Sequence, residues 1–139
     1  LKEGVLGGKI TGGTMNVQGN AVTAQAKYIK AENNIIQTTG KLIVTDSGTL
    51  DNNLTNNGAI EFAGGTINLN TTINGNGKIT NDSGSTLNAA SADNLGTTSA
   101  GVTNEGTVNI GEGTLGTKIN GGTLNFTSGT IKVTNAAYI

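Results

Sequence analysis

Three short phrases of this chain are close copies of one another, and they begin at Gly58, Gly106 and Gly122. Each phrase has a glycine, two apolar residues one position apart, a Gly-rich or Ser-Gly turn, and a threonine followed by Ile or Leu. Two looser copies begin at Gly40 and Gly77. Internal repetition of this kind is the sequence signature of a stacked repeat architecture. The repeat therefore limits the possible folds more strongly than any single residue does.

Within a phrase the apolar residues alternate with other residues, as Ile60 and Phe62 do with Ala59 and Glu61. A period of two predicts a short strand with one buried face. Further apolar positions follow after Gly and Asn turns, so we expect about three short strands in each coil of about 16–19 residues. Such strands bury a face only by stacking on the next coil, which predicts an all-β, right-handed parallel β-helix (β-solenoid). The predicted core residues are Leu42, Val44, Ile60, Phe62, Ile67, Leu69, Ile79, Leu87, Val108, Ile110, Leu115, Leu124, Phe126, Ile131 and Val133.

Charge and composition exclude several classes of partner. Charged residues make up 12% of the chain, its net charge is -1, and arginine is absent. Nucleic-acid binding depends on clustered cations, so nucleic acid is not an expected partner. No apolar run approaches the ~18 residues of a membrane helix, and membrane insertion is not expected either. The chain has no cysteine, which leaves its redox compartment open.

The repeats divide the chain into two predicted regions. Residues 1–39 fit the repeat poorly and are predicted to form an N-terminal coil, or more than one, or a cap. Within them, residues 21–37 lack glycine and alternate like a long strand, yet they also contain good helix formers, so a strand and a cap helix both remain open. Residues 40–139 are predicted to be solenoid repeats. A small, polar stretch near 88–101 is predicted to be a loop insertion in one coil.

A Gly-Thr or Ser-Thr pair before the second strand recurs in each copy, and it predicts a threonine ladder along one side of the stack. The residues two positions after these threonines would form a second column of mixed residue types: Asp51, Asn68, Asn88, Gly116 and Lys132. Ice-binding solenoids present a regular grid of at least two columns, so this alignment disfavours ice binding. The predicted ladder is Thr49, Thr66, Thr86, Thr114 and Thr130.

The chain offers few residues for catalysis or for binding a cofactor. It has no His and no Cys, so the usual nucleophile–base pairs and zinc sites are missing. A polysaccharide-cleaving β-helix is the serious enzyme alternative, and a hydrolase of that kind needs two carboxylates about 5–9.5 Å apart. The sequence predicts no catalytic residues, no metal site and no cofactor. The acidic residues considered are spread along the chain, at Asp46, Glu61, Asp82, Glu105 and Glu112.

The phrases at 56–62 and 64–70, with Asn-Asn-Gly-x-Ile-x-Phe and Gly-Gly-Thr-Ile-Asn-Leu-Asn, resemble the β-helical passenger repeats of bacterial autotransporters and related surface adhesins. The resemblance extends over roughly residues 40–133. It implies a secreted protein on a bacterial cell surface or in the extracellular space, acting as a stalk, an adhesin or a fibre. Such passengers are usually much longer than this chain, so a fragment and a short, assembling unit both remain open.

We therefore expect an extracellular structural or adhesive module, with surface glycans or host proteins as partners. Polysaccharide binding, polysaccharide cleavage and ice binding are the alternatives. The C-terminal coil shows no capping signal, which predicts that copies of the chain associate end to end into a filament. The residues predicted for that interface are Val5, Ile10, Met15 and Val17 at one end and Ile131, Val133 and Tyr138 at the other.

Overall fold

The computed structural model describes all 139 residues. They form a β-solenoid of about 7 turns with about 19 residues per turn. Strands account for 50% of the residues and short helices for 7%, and every paired strand runs parallel to its neighbour. The predicted all-β parallel solenoid is confirmed. The structure contains no helix with the length and apolar character needed to span a membrane.

The first four turns repeat the same order of elements. The first turn consists of β1 (Glu3–Leu6), β2 (Ile10–Thr11) and β3 (Thr14–Val17). The second consists of β4 (Ala21–Gln25), a 3₁₀ helix (Ala26–Tyr28), β5 (Ile29–Lys30) and β6 (Asn33–Ile36). The third consists of β7 (Lys41–Thr45), β8 (Gly48–Leu50) and β9 (Asn53–Asn56). The fourth consists of β10 (Ala59–Phe62), β11 (Thr66–Leu69) and β12 (Ile73–Asn74).

The last three turns follow the same path. The fifth consists of β13 (Lys78–Asn81), β14 (Thr86–Ala89) and a 3₁₀ helix (Ala92–Leu95). The sixth consists of β15 (Val102–Asn104), β16 (Thr107–Ile110) and β17 (Gly113–Leu115). The seventh consists of β18 (Ile119–Asn120), β19 (Thr123–Phe126), β20 (Ile131–Val133) and a 3₁₀ helix (Ala136–Tyr138).

Equivalent strands of successive turns pair to form the faces of the solenoid. Sheet 1 holds the first strand of every turn, in the order β1-β4-β7-β10-β13-β15-β18. Sheet 2 holds β8, β11, β14, β16 and β19, and sheet 3 holds β3, β6, β9 and β12. Two further pairs, β2 with β5 and β17 with β20, extend the stack at its ends. Each strand points alternate side chains inward, so the core is a set of apolar columns parallel to the axis. One such column in sheet 1 is Val22, Leu42, Ile60, Ile79, Val102 and Ile119.

The glycine that opens a phrase lies where two turns approach each other closely. A Cβ atom on Gly58 would overlap the carbonyl oxygens of Gln37 and Gly40 in the preceding turn. The Gly40 oxygen accepts a hydrogen bond from the Ala59 amide over 3.0 Å, so the two turns cannot separate to make room without losing it. Gly77 meets the Gly58 oxygen in the same way. The repeated glycine is therefore required by the close packing of successive turns.

The N-terminal residues form two ordinary turns of the solenoid. Residues 21–37, for which the sequence left a strand and a cap helix open, form three strands and one short 3₁₀ helix. Sheet 1 continues across the predicted boundary between residues 39 and 40, because β4 pairs with β7. The same stacking therefore begins with the first strand of the chain.

The loop insertion predicted near 88–101 differs from the structure. β14 extends to Ala89, and the following 3₁₀ helix places Ala92 and Leu95 in the core, each with 0% exposure. From Ile60 to its partner Ile79 the chain advances 19 residues, and from Ile79 to its partner Val102 it advances 23 residues. The fifth turn is therefore longer than the fourth by as many residues as this 4-residue helix contains. The polar residues that suggested a loop serve as helix caps: the Ser91 hydroxyl accepts a hydrogen bond from the Asp93 amide over 3.2 Å.

The position along the stack decides how well the predicted core residues are buried. Eleven of them, in the third to sixth turns, are buried. Leu124, Ile131 and Val133 are only partly buried, and Phe126 is 52% exposed. These four belong to the seventh turn, the last one in the structure. The eleven buried residues are Leu42, Val44, Ile60, Phe62, Ile67, Leu69, Ile79, Leu87, Val108, Ile110 and Leu115.

Candidate functional site

The outer surface of sheet 2 carries the most regular array of side chains on the molecule. In four successive turns a strand reads Thr, an apolar residue, then Asn, and the apolar residue points into the core. Because side chains alternate along a strand, Thr and Asn both point outward. The register stacks them into a threonine column and an asparagine column. The threonine column is Thr66, Thr86, Thr107 and Thr123, and the asparagine column is Asn68, Asn88, Asn109 and Asn125.

The asparagine column is a continuous hydrogen-bonded ladder. The Asn88 Nδ2 donates to Asn68 Oδ1 over 3.0 Å, Asn109 donates to Asn88 over 2.8 Å, and Asn125 donates to Asn109 over 2.9 Å. All three bonds point the same way along the axis. A side-chain amide has two N–H donors and an oxygen with two lone pairs, so the two central amides each keep one donor and one acceptor site free. The ladder therefore fixes the direction of its free groups.

A groove of about 470 Å³ follows this ladder. Thr49 lines one end and Thr127 and Ser128 line the other, with Asn68, Asn88 and Asn109 between them. Beside the ladder the groove is lined by the exposed Ala90 and the buried Gly111, two small residues that do not fill it. Every side chain that lines the groove is uncharged. We call this surface, the two columns with the groove, the Thr–Asn face.

The predicted threonine ladder was partly wrong in its register. Thr66 and Thr86 are paired as predicted, but Thr49 pairs with Asn68 and Thr114 pairs with Lys132. Thr130 precedes β20 and belongs to the same part of the stack as Thr114. The phrases that begin at Gly40, Gly58 and Gly77 start on sheet 1, whereas those that begin at Gly106 and Gly122 start on sheet 2. Similar phrases therefore occupy different faces, and their Gly-Thr pairs do not form one column.

The asparagine ladder was missed because the sequence was aligned on its glycines. Aligning on the Thr-x-Asn triplet at residues 66, 86, 107 and 123 would have given both columns of sheet 2. That signal is incomplete by itself, because Thr14-Met-Asn16 has the same pattern and lies in sheet 3.

A second cluster, of charged groups, lies on the outer surface of sheet 1. Lys41 forms an ion pair with Glu61, and its hydrogen bond to that carboxylate lowers the pKa of Glu61. Burial raises the pKa of Asp82, and a hydrogen bond with Glu61 raises it further. The two carboxyl groups therefore influence each other's pKa.

The other acidic residues considered from the sequence are not part of this pair. Asp46 has a positive φ of 66° in the turn before β8, and its carboxylate accepts a hydrogen bond from the Ser47 amide over 2.8 Å. Glu112 lies exposed in the turn between β16 and β17. Glu105 contributes to the raised pKa of Asp82 through its charge. None of these carboxyl groups lines the groove on the Thr–Asn face.

The two ends of the solenoid expose apolar side chains. A groove of about 270 Å³ in the last turn is lined by Phe126, Gly129, Ile131 and Val133. Val5 in the first turn is 81% exposed, but it pairs with Thr23 and therefore points outward from sheet 1. Ile10 and Tyr138 are partly buried against the core. Two of the residues predicted for an end-to-end interface are placed elsewhere, because Met15 and Val17 are only 3% and 0% exposed. They point into the core beneath the second turn and cannot contact another copy.

The comparisons with known proteins gave no match: no protein-family model, no curated protein and no solved structure is similar enough to this chain to be counted. The class of the protein, a parallel β-solenoid of stacked repeats, therefore follows from its own fold.

Proposed function

We propose that this chain is a structural and adhesive β-solenoid module that works on a bacterial cell surface or in the extracellular space, and that the Thr–Asn face is its contact surface. The observation that carries the proposal is the uninterrupted pair of Thr and Asn columns over four turns. A wide array of neutral donors and acceptors suits many weak contacts, which together give avidity when copies are displayed side by side. The resemblance of residues 40–133 to autotransporter passenger repeats supports the same role.

Bead adhesion tests the adhesive role. Beads coated with the chain are passed over layers of animal cells and of bacteria under flow, and the retained beads are counted. The Thr86→Lys/Thr107→Lys variant places two cations on the Thr–Asn face. The matched control, Thr23→Lys/Thr103→Lys, makes the same charge change on the outer surface of sheet 1, where both threonines are partly exposed.

We expect the control to be retained like the unmodified chain, and the Thr86→Lys/Thr107→Lys variant to be retained several-fold less. Retention of the unmodified chain no better than that of uncoated beads would remove the adhesive role. Equal retention of both variants would move that role to another surface.

We propose ice binding as a second candidate, favoured by one specific observation. Aligning the Gly-Thr pairs gave a second column that contained Gly116 and Lys132, whereas the stacked neighbours of the threonine column are all asparagines. The two columns form a grid with spacings of about 4.8 Å along the axis and about 6.6 Å along each strand. Thermal hysteresis that the Thr86→Lys/Thr107→Lys variant abolishes would establish this candidate. A chain with no hysteresis at millimolar concentration would exclude it.

End-to-end association is a further part of the proposed structural role. Its basis is the half-exposed Phe126 and the apolar groove around it in the last turn. Parallel strands at an unpaired edge can add another strand by main-chain hydrogen bonding. Sedimentation velocity over a wide concentration range should show oligomers that the Phe126→Lys variant does not form. Monomers at every concentration would rule this association out.

A further inference from the structure

We propose that the groove on the Thr–Asn face binds a linear, neutral polysaccharide that lies parallel to the solenoid axis. This inference rests on the proposed adhesive function and names the class of ligand for it.

The shape of the groove favours a linear ligand. Its lining residues come from five successive turns, from Thr49 in the third turn to Thr127 in the seventh. Four steps between turns span roughly 19 Å at the usual strand spacing. The groove therefore runs along the axis over a length that several sugar units occupy, and its binding groups repeat once per turn.

The chemistry of the groove favours neutral hydroxyl groups. Asn88 and Asn109 each present one free N–H and one free oxygen lone pair, held in place by the ladder. A hydroxyl group both donates and accepts, so a chain of sugars can satisfy both kinds of site. An anionic polysaccharide would need cations, and neither lysine nor arginine lines the groove. Lys30, near the Thr49 end, is engaged with Asp51 over 2.8 Å.

The same surface is poorly suited to a polypeptide strand. An added strand needs a sheet edge with unpaired main-chain groups. The strands below the groove, β11, β14 and β16, each have a neighbour on both sides, so their main-chain groups are already used in the sheet.

The groove predicts weak, length-dependent affinity. None of its lining residues is aromatic, so binding depends on hydrogen bonds that are added turn by turn. Each additional hydrogen bond contributes modestly, and a few of them together raise affinity about tenfold. A hexasaccharide should therefore bind at least about tenfold more tightly than a disaccharide of the same sugar.

The test uses neutral oligosaccharides of glucose, mannose, xylose and galactose, each from two to six units, with an oligogalacturonate of six units as the charged comparison. Binding is followed by the NMR shifts of the asparagine side-chain amides in the isotope-labelled chain. We expect at least one neutral series to shift the resonances of Asn68, Asn88 and Asn109, with affinity rising with length and no binding of the oligogalacturonate. The proposal is overturned if none of the four series shifts them. It is also overturned if the oligogalacturonate binds as tightly as the neutral hexasaccharides.

Two variants and a matched control locate the site. Asn88→Asp removes the donor to Asn68 and places a charge in the groove, and Ala90→Phe fills the groove from an exposed position without changing the ladder. Asn120→Asp makes the same charge change at an exposed position in sheet 1. Circular dichroism confirms that each variant is folded. We expect both groove variants to weaken hexasaccharide binding about tenfold or more and the control to change it less than about twofold. Equal affinity for Ala90→Phe and the unmodified chain would overturn the assignment.

The two proposals fail in different ways. If beads adhere through the Thr–Asn face but no neutral oligosaccharide binds, only the ligand class is wrong. If oligosaccharides bind in the groove but coated beads are not retained, the adhesive role is wrong and the binding site stands.

Discussion

Asn81 and Asn104 lie in register in two successive turns inside the solenoid. The Asn81 Nδ2 donates a hydrogen bond to Asn104 Oδ1 over 2.9 Å. Both side chains are buried, with 0% and 2% exposure. The Asn81 amide also donates to the Thr107 carbonyl oxygen over 3.1 Å, and the Asn104 amide donates to the Thr123 oxygen over 3.1 Å. These asparagines satisfy main-chain oxygens at the start of β16 and β19, so their role is to hold the corner between sheets 1 and 2.

Replacing Asn81 by alanine should therefore destabilise the chain. The change leaves the Thr107 oxygen and Asn104 Oδ1 without this donor in a buried place, which costs about 1–3 kcal/mol. Asn76→Ala is the matched control, because Asn76 is exposed in the turn before β13, and it should stay within about 0.5 kcal/mol. Urea unfolding measures both. Equal stability of the two variants would contradict the structural role of Asn81.

A methyl group on Gly58 should also destabilise the stack. The added Cβ would overlap the carbonyl oxygens of Gln37 and Gly40, and both belong to main chain that cannot swing away. We expect Gly58→Ala to cost about 1–3 kcal/mol or more, measured by thermal or urea unfolding. The control is Gly7→Ala, since a Cβ at Gly7 meets nothing within 4 Å, and it should change stability by no more than about 0.5 kcal/mol. A harmless Gly58→Ala substitution would mean that successive turns are further apart than described.

The sequence predicts the strands and most of the core because each strand must bury alternate side chains. Ile60 and Phe62 are buried for that reason alone, and any stacking order would bury them. Phe126 has the same local pattern, yet it is 52% exposed because it lies in the last turn. Local pattern therefore predicts which side chains point inward, and the position in the stack decides how well they are covered.

The sheet to which a phrase contributes could not be predicted from the residues of that phrase. The requirements are the same on each face: a small residue where turns approach closely, then alternating apolar residues. Gly58 and Gly106 both meet carbonyl oxygens of the preceding turn, although one precedes a strand of sheet 1 and the other a strand of sheet 2. The length of the fifth turn decides the register, and that length depends on the helix that residues 92–95 form in the core. The asparagine ladder depends on that register, so it was missed as well.

Phe62 and Phe126 occupy the same position in their phrases. Replacing each of them by alanine should nevertheless lower the stability of the chain to very different extents. Phe62 in the fourth turn has 0% exposure, and Phe126 in the seventh is half exposed. We expect Phe62→Ala to cost about 3–5 kcal/mol, because it opens a cavity between sheets that cannot close fully. Phe126→Ala should cost less than about 1.5 kcal/mol, since little apolar area is lost from the core. Unfolding in urea compares the two, and similar losses would show that the last turn is covered in solution, for example by another copy of the chain.

The pair formed by Glu61 and Asp82 should make stability depend on pH in a defined direction. Burial, followed by the hydrogen bond with Glu61, raises the pKa of Asp82 above its ordinary 3.8, so the folded chain holds this proton more tightly than the unfolded chain. That stabilising contribution is fully present below pH 3.8 and is lost as pH rises through the raised value. The hydrogen bond from Lys41 lowers the pKa of Glu61 below 4.5, so its contribution is present above pH 4.5 and is lost as pH falls through the lowered value.

Asp82→Asn should therefore stabilise the chain relative to the unmodified protein at pH 7 more than at pH 3. The amide that this substitution introduces is uncharged throughout, whereas ionised Asp82 repels Glu61 at neutral pH. Both groups are partly exposed, and solvent screens their interaction, so we expect a difference of a few tenths to about 1 kcal/mol between the two pH values. Urea unfolding from pH 3 to pH 7 measures it, and the same substitution in a Glu61→Gln background should show a smaller pH dependence, because the hydrogen-bonded carboxylate is gone. A stability difference that stays constant over this range, or one that is unaffected by Glu61→Gln, would show that the two carboxyl groups do not interact in solution.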